Sequence, residues 1–242
     1  MTHRWALLVV VAVTCAACEK ESQNAGGNDV FARTQYTIVW SDPAGLDLMS
    51  AEGTYLRASI ESLDASAVNG NADTAAPGFW NTLTEPAKAE VERFFRMGPA
   101  QPEFGIKRYE VLRKVDDHQS TTVTVCSYNQ QIAHQGTDKA TYEFGGTGPF
   151  GSVVTFEKEG RTSPPADQSG PEMFARTPVF GSWRTTGWEV GFFPDGDPCA
   201  GRSLPGVTRN AWPQTRGSGP YVSDQVPRQR TSPGWPRVAD TV

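Results

Sequence analysis

The clearest helical pattern in the chain lies between residues 51 and 68. Four apolar side chains recur there at spacings of four, three and four residues, which places them on one helical face: Leu56, Ile60, Leu63 and Ala67. Gly70 ends the pattern, since glycine readily adopts the backbone conformation that closes a helix. The pattern therefore predicts an amphipathic helix with one buried face.

A second helix is predicted over residues 85–97. Pro86 fits the first turn, where a missing N–H costs nothing, and Gly98 and Pro99 close the pattern. The expected buried stripe of this helix is Ala87, Val91, Phe94 and Phe95.

After residue 102 the helical period gives way to β-prone runs. Residues 106–115 alternate, residues 116–120 are a polar turn, and residues 121–128 are strongly β-prone, so we expect a hairpin. Further short strands are predicted at residues 36–40, 141–144, 153–156 and 187–193. Helices followed by strands predict an α+β fold, with N-terminal helices packed on a curved, mainly antiparallel sheet.

This order of elements resembles the NTF2-like fold, a cystatin-like cone, in the version found in small secreted actinobacterial lipoproteins of the mycobacterial type. The resemblance covers about residues 45–195 and is carried by four features in order: helix 51–68, the turn Pro-Gly-Phe-Trp at 77–80, helix 85–97 and hairpin 109–128. Segments 129–150 and 159–178 are longer than a minimal cone needs.

The resemblance implies a pocket between the sheet and the helices. Members of the fold use such a pocket for catalysis, for binding or for dimerisation, so the fold does not decide the activity. No catalytic residue can be carried over, because the chain contains no matching motif. Aromatic residues that could line the pocket are Trp80, Phe94, Phe95, Trp188 and Phe192.

The N-terminus has the features of an export signal. Arg4 precedes nine apolar residues, whose helical rise of about 14 Å is far short of the roughly 30 Å of hydrocarbon in a bilayer. Residues 1–17 are therefore read as a signal peptide. Cys18 follows two alanines, as in a bacterial lipobox, so we expect a lipid on Cys18 that holds the protein at the outer face of the cell membrane. The alternatives are lipidation of Cys15, cleavage without a lipid followed by secretion, and retention of the N-terminal segment as an anchor.

The rest of the chain divides into a tether, one domain and a tail. Residues 18–30 are polar and contain glycine, which is typical of a flexible tether. Residues 31–199 are predicted to form a single α+β domain. Residues 200–242 contain six arginines and six prolines and are interpreted as a disordered tail. Alternatively, the tail contacts acidic envelope polymers or lipid head groups through Trp212, Tyr221 and Trp235.

The net charge and the cysteines limit which partners, bonds and cofactors can be expected. A formal net charge of −5 argues against a surface built to bind nucleic acid. Cys126 and Cys199 lie outside the signal region, and in an oxidising compartment such a pair predicts one disulfide. No cofactor is expected. No metal is expected either, since only His118 and His134 remain as imidazole ligands after processing.

No catalytic motif is evident. Asp116, Asp117 and His118 are adjacent in an exposed turn, which rarely makes a preorganised acid–base pair. We therefore interpret the protein as a non-catalytic binding or scaffold module of the cell envelope, for an apolar ligand or a protein partner. The alternative is an envelope enzyme with a buried acid–base residue, for which one carboxylate would have to point inward: Asp64, Glu90, Glu110 or Glu189.

Overall fold

The structure, a computed structural model, describes residues 30–95, 100–145, 149–191, 193–204 and 221–240. Three α-helices and eight strands lie in this part of the chain. The helices are α1 (Ala51–Asn69), α2 (Phe79–Thr82) and α3 (Glu85–Phe95). The strands are β1 (Thr34–Ser41), β2 (Glu103–Asp117), β3 (Ser120–Tyr128), β4 (Ile132–Gln135), β5 (Tyr142–Phe144), β6 (Phe150–Glu157), β7 (Arg184–Val190) and β8 (Tyr221–Ser223).

The eight strands form one mixed sheet. Seven of them pair antiparallel in the order β7-β6-β3-β2-β4-β5-β8, and β1 runs parallel to β2 along its other edge. Strands β3 and β4 occupy successive parts of the same edge of β2, with Tyr128 opposite Arg108 and Ile132 opposite Gly105. Within the described ranges the sheet is not closed. The fold class is α+β, as the sequence predicted.

Helix α1 has well-defined ends. The Ser50 hydroxyl accepts a hydrogen bond of 3.1 Å from the backbone N–H of Gly53, which satisfies one of the free donors of the first turn. Gly70 follows the helix with φ of 64°, a left-handed conformation that glycine adopts without strain. The predicted bounds, 51–68, agree with the observed helix to within one residue.

The core lies between α1 and one face of the sheet, called here the helix face. Leu56, Ile60 and Leu63 are buried there as the helical pattern predicted. The opposite side of α1 is buried as well, and it includes Arg57 and Glu61. A helix that is covered on both sides can carry buried polar residues, because other segments supply their hydrogen-bond partners.

The other face of the sheet, the outer face, is covered in part by the loop after β7. A disulfide joins Cys126 on β3 to Cys199 in that loop, which confirms the predicted pair. Both cysteines are buried, and Tyr128 packs with them in a small second cluster. The two cysteines are 73 residues apart in sequence, so the bridge closes a long loop.

Residues 221–240 belong to the folded body, which differs from the expected disordered tail over that range. Tyr221–Ser223 is strand β8, and Ser232 pairs with β1 through hydrogen bonds of 2.8 and 2.9 Å. Trp235, expected as an interfacial anchor, is only 1% exposed. The composition of the tail did not predict this packing, because one buried indole and a few backbone hydrogen bonds can order a segment that is otherwise polar.

Several predictions concern residues outside the described ranges. These are the signal peptide 1–17, the lipid acceptor Cys18, nearly all of the tether, Phe192 and Trp212. Among the helices of the described residues, none is long and apolar enough to cross a membrane.

Candidate functional site

A cavity of about 260 Å³ lies between the helices and the helix face of the sheet. Its walls come from α1, α3, β2, β3, β6 and β7, so the whole domain is needed to form it. Most of the lining is apolar, and the residues that supply it are Ile60, Leu63, Phe94, Val125, Phe150 and Val190. A concave apolar space with a few polar groups is the usual form of a small-molecule site.

Asp64 and Tyr109 line the cavity where α1 crosses β2, and the polar groups around them define its polar end. The Asp64 carboxylate accepts hydrogen bonds of 2.8 and 3.0 Å from the Lys107 ammonium, and another from the Tyr36 hydroxyl. Lys107 also donates a bond of 2.8 Å to Glu103. Two carboxylates thus share one ammonium at this end of the cavity.

Burial and charge act in opposite directions on Lys107, whose side chain is only 3% exposed. Burial disfavours the charged ammonium, but Asp64 and Glu103 outweigh it and raise the pKa of Lys107. Burial, reinforced by the charge of Asp64, raises the pKa of Tyr36 well above its usual value. Lys107 therefore stays charged and Tyr36 stays a neutral donor at physiological pH.

Two buried polar atoms in the cavity wall lack a partner among the described residues. The Tyr109 hydroxyl faces Asp64 but forms no hydrogen bond of good geometry, and this residue is only 2% exposed. The amide oxygen of Asn129 is also buried without a hydrogen bond. Both atoms are fully enclosed by protein, so they are not open to the cavity, and the wall is formed by other atoms of these two residues.

The strand geometry accounts for the position of these two groups. Tyr109 on β2 pairs with Ser127 on β3, and Asn129 lies two residues further along. Asn129 directly follows Tyr128, the last residue of β3, so it lies in the connection to β4 and contributes to the cavity wall from there.

One side of the cavity reaches the protein surface. Phe150 at the start of β6 lines the cavity and is 40% exposed. Gly191, just after β7, also lines it and has φ of 73°, with no atom within 4 Å of the position that a Cβ would occupy. The surface end of the cavity is thus apolar and sterically open.

The structure places the predicted aromatic residues in different surroundings. Phe94 lines the cavity, as the resemblance suggested. Trp80 packs between Phe79 and Phe95 and donates a hydrogen bond to the Ala72 carbonyl, away from the cavity lining. Trp188 is a buried core residue against Phe79. Of these candidates only Phe94 contributes to the cavity within the described ranges.

Of the four candidate carboxylates, Asp64 alone lines this cavity. Glu90 forms a surface ion pair of 2.6 Å with Arg93. Glu110 lies on the outer face, where it accepts hydrogen bonds from Tyr128 and Arg202. Glu189 is exposed on β7. The topology therefore singles out one carboxylate, which sequence alone could not do.

The hairpin turn forms no preorganised site. The side chains of His118 and Asp117 are 97% and 78% exposed. Asp116 forms an ion pair with Lys114 and accepts a hydrogen bond from the Thr121 hydroxyl. Within the described part of the chain, no group of three or more His, Cys, Asp or Glu residues is arranged to hold a metal ion.

Sequence reasoning missed three residues of the site: Lys107, Tyr109 and Asn129. Their only signal is a period of two, since Lys107 and Tyr109 alternate with residues of the outer face on a strand that is covered on both faces. Asn129 follows a strand end and looks like an ordinary turn residue. The cavity forms from long-range contacts that no local pattern reveals.

No family model, curated protein or solved structure matches this chain.

Proposed function

We propose that this protein is an exported cell-envelope lipoprotein that binds a small apolar ligand without chemical change. The cavity between α1, α3 and the sheet is the binding site, and Cys18 carries the lipid that holds the protein at the outer face of the membrane. The observation that carries the proposal is the apolar cavity of about 260 Å³, which is lined by the half-exposed ring of Phe150 at the protein surface. We further propose that the fold is an NTF2-like cone, which agrees with helices over one face of a mainly antiparallel sheet.

The state of Asp64 favours binding over catalysis. A general base needs an oxygen that is free toward the substrate. Asp64 instead accepts two hydrogen bonds from Lys107 and one from Tyr36. These bonds occupy both oxygens of the carboxylate and hold it in place.

An enzyme remains the second candidate, because Asp64 and the Tyr109 hydroxyl lie together in the cavity wall. If Asp64 were catalytic, Asp64→Asn would abolish turnover of a bound ligand while leaving its affinity nearly unchanged. A binding module predicts that ligands recovered from the protein have the same mass before and after prolonged incubation.

The disulfide supports export. Disulfides persist in oxidising compartments and are rare in the cytosol, and Cys126 and Cys199 are paired on the outer face. Mass spectrometry of the protein from host membranes tests the anchor. A mature chain starting at Cys18 with added diacylglyceryl mass supports it, whereas an unmodified chain found only in the medium contradicts it.

Methyl NMR tests the binding site. The chain with Cys15→Ser and Cys18→Ser, purified without detergent, is titrated with 1-octanol. A water-sized group occupies about 30 Å³, so the cavity accommodates roughly nine such groups, the number of non-hydrogen atoms in this alcohol. Methyl signals of Ile60, Leu63, Val125 and Val190 should shift, while those of Ile132, outside the cavity lining, should not.

A blocking variant with a matched control completes this test. Ser152 lines the cavity, so Ser152→Phe places a ring inside it and should prevent the shifts. Ser203 is exposed after the disulfide loop, and Ser203→Phe should leave them unchanged. Equal shifts in both variants would mean that the alcohol binds elsewhere.

A further inference from the structure

We propose that a second site of this protein binds an acidic sugar, and that Arg228 and Arg230 bind the negative groups of that sugar. The site is a surface cleft of about 610 Å³ between residues 226–230 and strands β1, β2 and β5. No described residue lines both this cleft and the apolar cavity, so the inference does not depend on ligand binding in the cavity.

The segment that carries the two arginines is held on both sides and in the middle. Before it, β8 pairs with β5, and after it Ser232 pairs with β1 through backbone hydrogen bonds of 2.8 and 2.9 Å. Between the arginines, the side-chain oxygen of Gln229 accepts a hydrogen bond of 2.8 Å from the Arg108 guanidinium on β2. The backbone therefore presents Arg228 and Arg230 at one place, although both side chains are exposed.

The cleft is positively charged in a chain whose formal net charge is −5. Among the described residues that line it, Arg228 and Arg230 are cationic and none is acidic. Neither arginine forms an ion pair with a carboxylate of the described residues. A guanidinium matches carboxylate and phosphate groups through paired hydrogen bonds, so two of them without a counter-ion indicate an anionic ligand.

Carboxylates occur on the same strands, but outside the cleft. Glu103 on β2 forms an ion pair of 2.8 Å with Lys107. Glu143 follows the cleft residue Tyr142 on β5, so the alternation of the strand puts it on the opposite face. Asp224, just after β8, is exposed and is not part of the lining. The positive charge of the cleft is therefore available to a ligand.

The remaining lining suits the ring of a sugar. Phe104 and Tyr142 are half-buried, and their rings meet at a centroid distance of 5.2 Å, which gives the cleft apolar surface. Gln35 and Thr37 on β1 add an amide and a hydroxyl. A sugar presents C–H groups on the face of its ring and hydroxyl groups at its edge. Aromatic surface beside a few polar side chains can bind both kinds of group.

A lipid surface fits this site less well. Residues 226–230 are not helical, so they have no amphipathic face of the kind that lies in a membrane interface. The rings beside the arginines are half-buried within a concave cleft. A lipid head group could reach the arginines, but its acyl chains would meet no exposed apolar face of the cleft. We therefore commit to the sugar and make the lipid an outcome of the test.

Four probes separate these chemistries: digalacturonate, the neutral disaccharide lactose, inorganic phosphate and phosphatidylglycerol vesicles. Each is titrated into the detergent-free chain with Cys15→Ser and Cys18→Ser, and the amide NMR signals of Thr37, Phe104 and Tyr142 report binding. We expect digalacturonate to bind about tenfold more tightly than lactose at low salt, the effect of two exposed ion pairs. Phosphate should bind more weakly than digalacturonate, and vesicles should leave the signals unchanged.

Variants test the assigned residues. Arg228→Gln and Arg230→Gln should each weaken digalacturonate binding about two- to fivefold, the range for one exposed ion pair, and leave lactose binding unchanged. Tyr142→Leu should weaken the binding of both sugars, because it removes the ring. Arg113→Gln is the matched control: it removes the same charge from an exposed site near the other end of β2 and should change neither constant.

Each outcome supports or overturns a stated part of this inference. Equal affinity for digalacturonate and lactose, or an equal loss in Arg113→Gln and the two cleft variants, would overturn the role of Arg228 and Arg230. Phosphate binding as tight as that of digalacturonate would leave a site for any small anion and overturn the sugar. Vesicle binding that requires the two arginines would replace the sugar by a lipid surface. No shift with any probe would overturn the site, whereas the binding of 1-octanol tests the cavity separately.

Discussion

The indole N–H of Trp235, near the C-terminus, donates a hydrogen bond of 2.5 Å to the buried carboxyl group of Glu61 on α1. The other oxygen of Glu61 accepts from the indole of Trp40 on β1 at 2.8 Å. One carboxyl group thus joins the central helix, the edge of the sheet and the C-terminal segment. Because Glu61 is fully buried, its protonation state affects the stability of all three.

We predict that Glu61 makes the protein less stable as the pH rises toward neutrality. Burial raises the pKa of Glu61 from 4.5 to about 7, an effect that Arg57 and the two indoles partly offset. The folded state therefore binds this proton more tightly than the unfolded state. The contribution of Glu61 to the free energy of unfolding is therefore greatest below pH 4.5 and is lost as the pH rises through about 7. Its magnitude is on the order of 3 kcal/mol.

Urea unfolding of the wild type and Glu61→Gln between pH 5 and pH 8 measures this effect. The free energy of unfolding of the wild type should fall relative to that of the variant over this interval. Glu189→Gln, on an exposed site of β7, is the control and should keep the wild-type pH dependence. Parallel curves for wild type and Glu61→Gln would contradict the prediction.

Trp235 should be among the most important residues for stability despite its position near the C-terminus. Its ring is buried in the core and stacks on the Arg57 guanidinium at 4.4 Å. Truncation of a buried tryptophan typically costs about 3–5 kcal/mol, so Trp235→Ala should lower the free energy of unfolding by that amount. Val238→Ala, at a residue that is 54% exposed, should change it by less than about 0.5 kcal/mol. A loss below 1 kcal/mol for Trp235→Ala would mean that the segment is not held as described.

The disulfide should stabilise the protein by about 4 kcal/mol, since it closes a loop of 73 residues in the unfolded chain. Replacement of Cys126 and Cys199 by alanine should therefore lower the urea midpoint of unfolding below that of the oxidised wild type. The same loss should appear in the wild type after reduction and alkylation. Equal midpoints for the bridged and unbridged proteins would contradict this.

The helices and the central hairpin could be predicted from sequence because their signals are local. Helix α1 follows from the spacing of Leu56, Ile60 and Leu63, and the hairpin from two β-prone runs around a polar turn. The burial of Arg57 and Glu61 could not be predicted, because the segments that cover them are distant in sequence. Arg57 donates to the carbonyl oxygens of Gln168 and Pro233, which are 111 and 176 residues away.

The candidate site was predictable only in outline. Phe94 and Asp64 were among the candidates because their residue types suit a pocket. What selects them is the crossing of α1 over β2, which brings Asp64 within 2.8 Å of Lys107, 43 residues away in sequence. Composition cannot show such a crossing, nor which polar atoms it leaves without a partner.

Gly105 on β2 offers a last test, because it fixes the junction between β3 and β4 beside Asn129. Its φ is 114°, and an added Cβ would lie 2.1 Å from the carbonyl oxygen of Gln131. Gly105→Ala should therefore combine backbone strain of about 1–2 kcal/mol with a backbone clash, and destabilise the protein by more than 2 kcal/mol.

Gly196→Ala is the matched control for this prediction. Gly196 has φ of 93° but no atom within 4 Å of the added Cβ, so only the backbone strain applies. Urea unfolding should rank the variants as wild type, Gly196→Ala and Gly105→Ala in decreasing stability. If Gly105→Ala were no less stable than Gly196→Ala, the close packing of Gln131 on Gly105 would be wrong, and with it the backbone support for the position of Asn129 in the cavity wall.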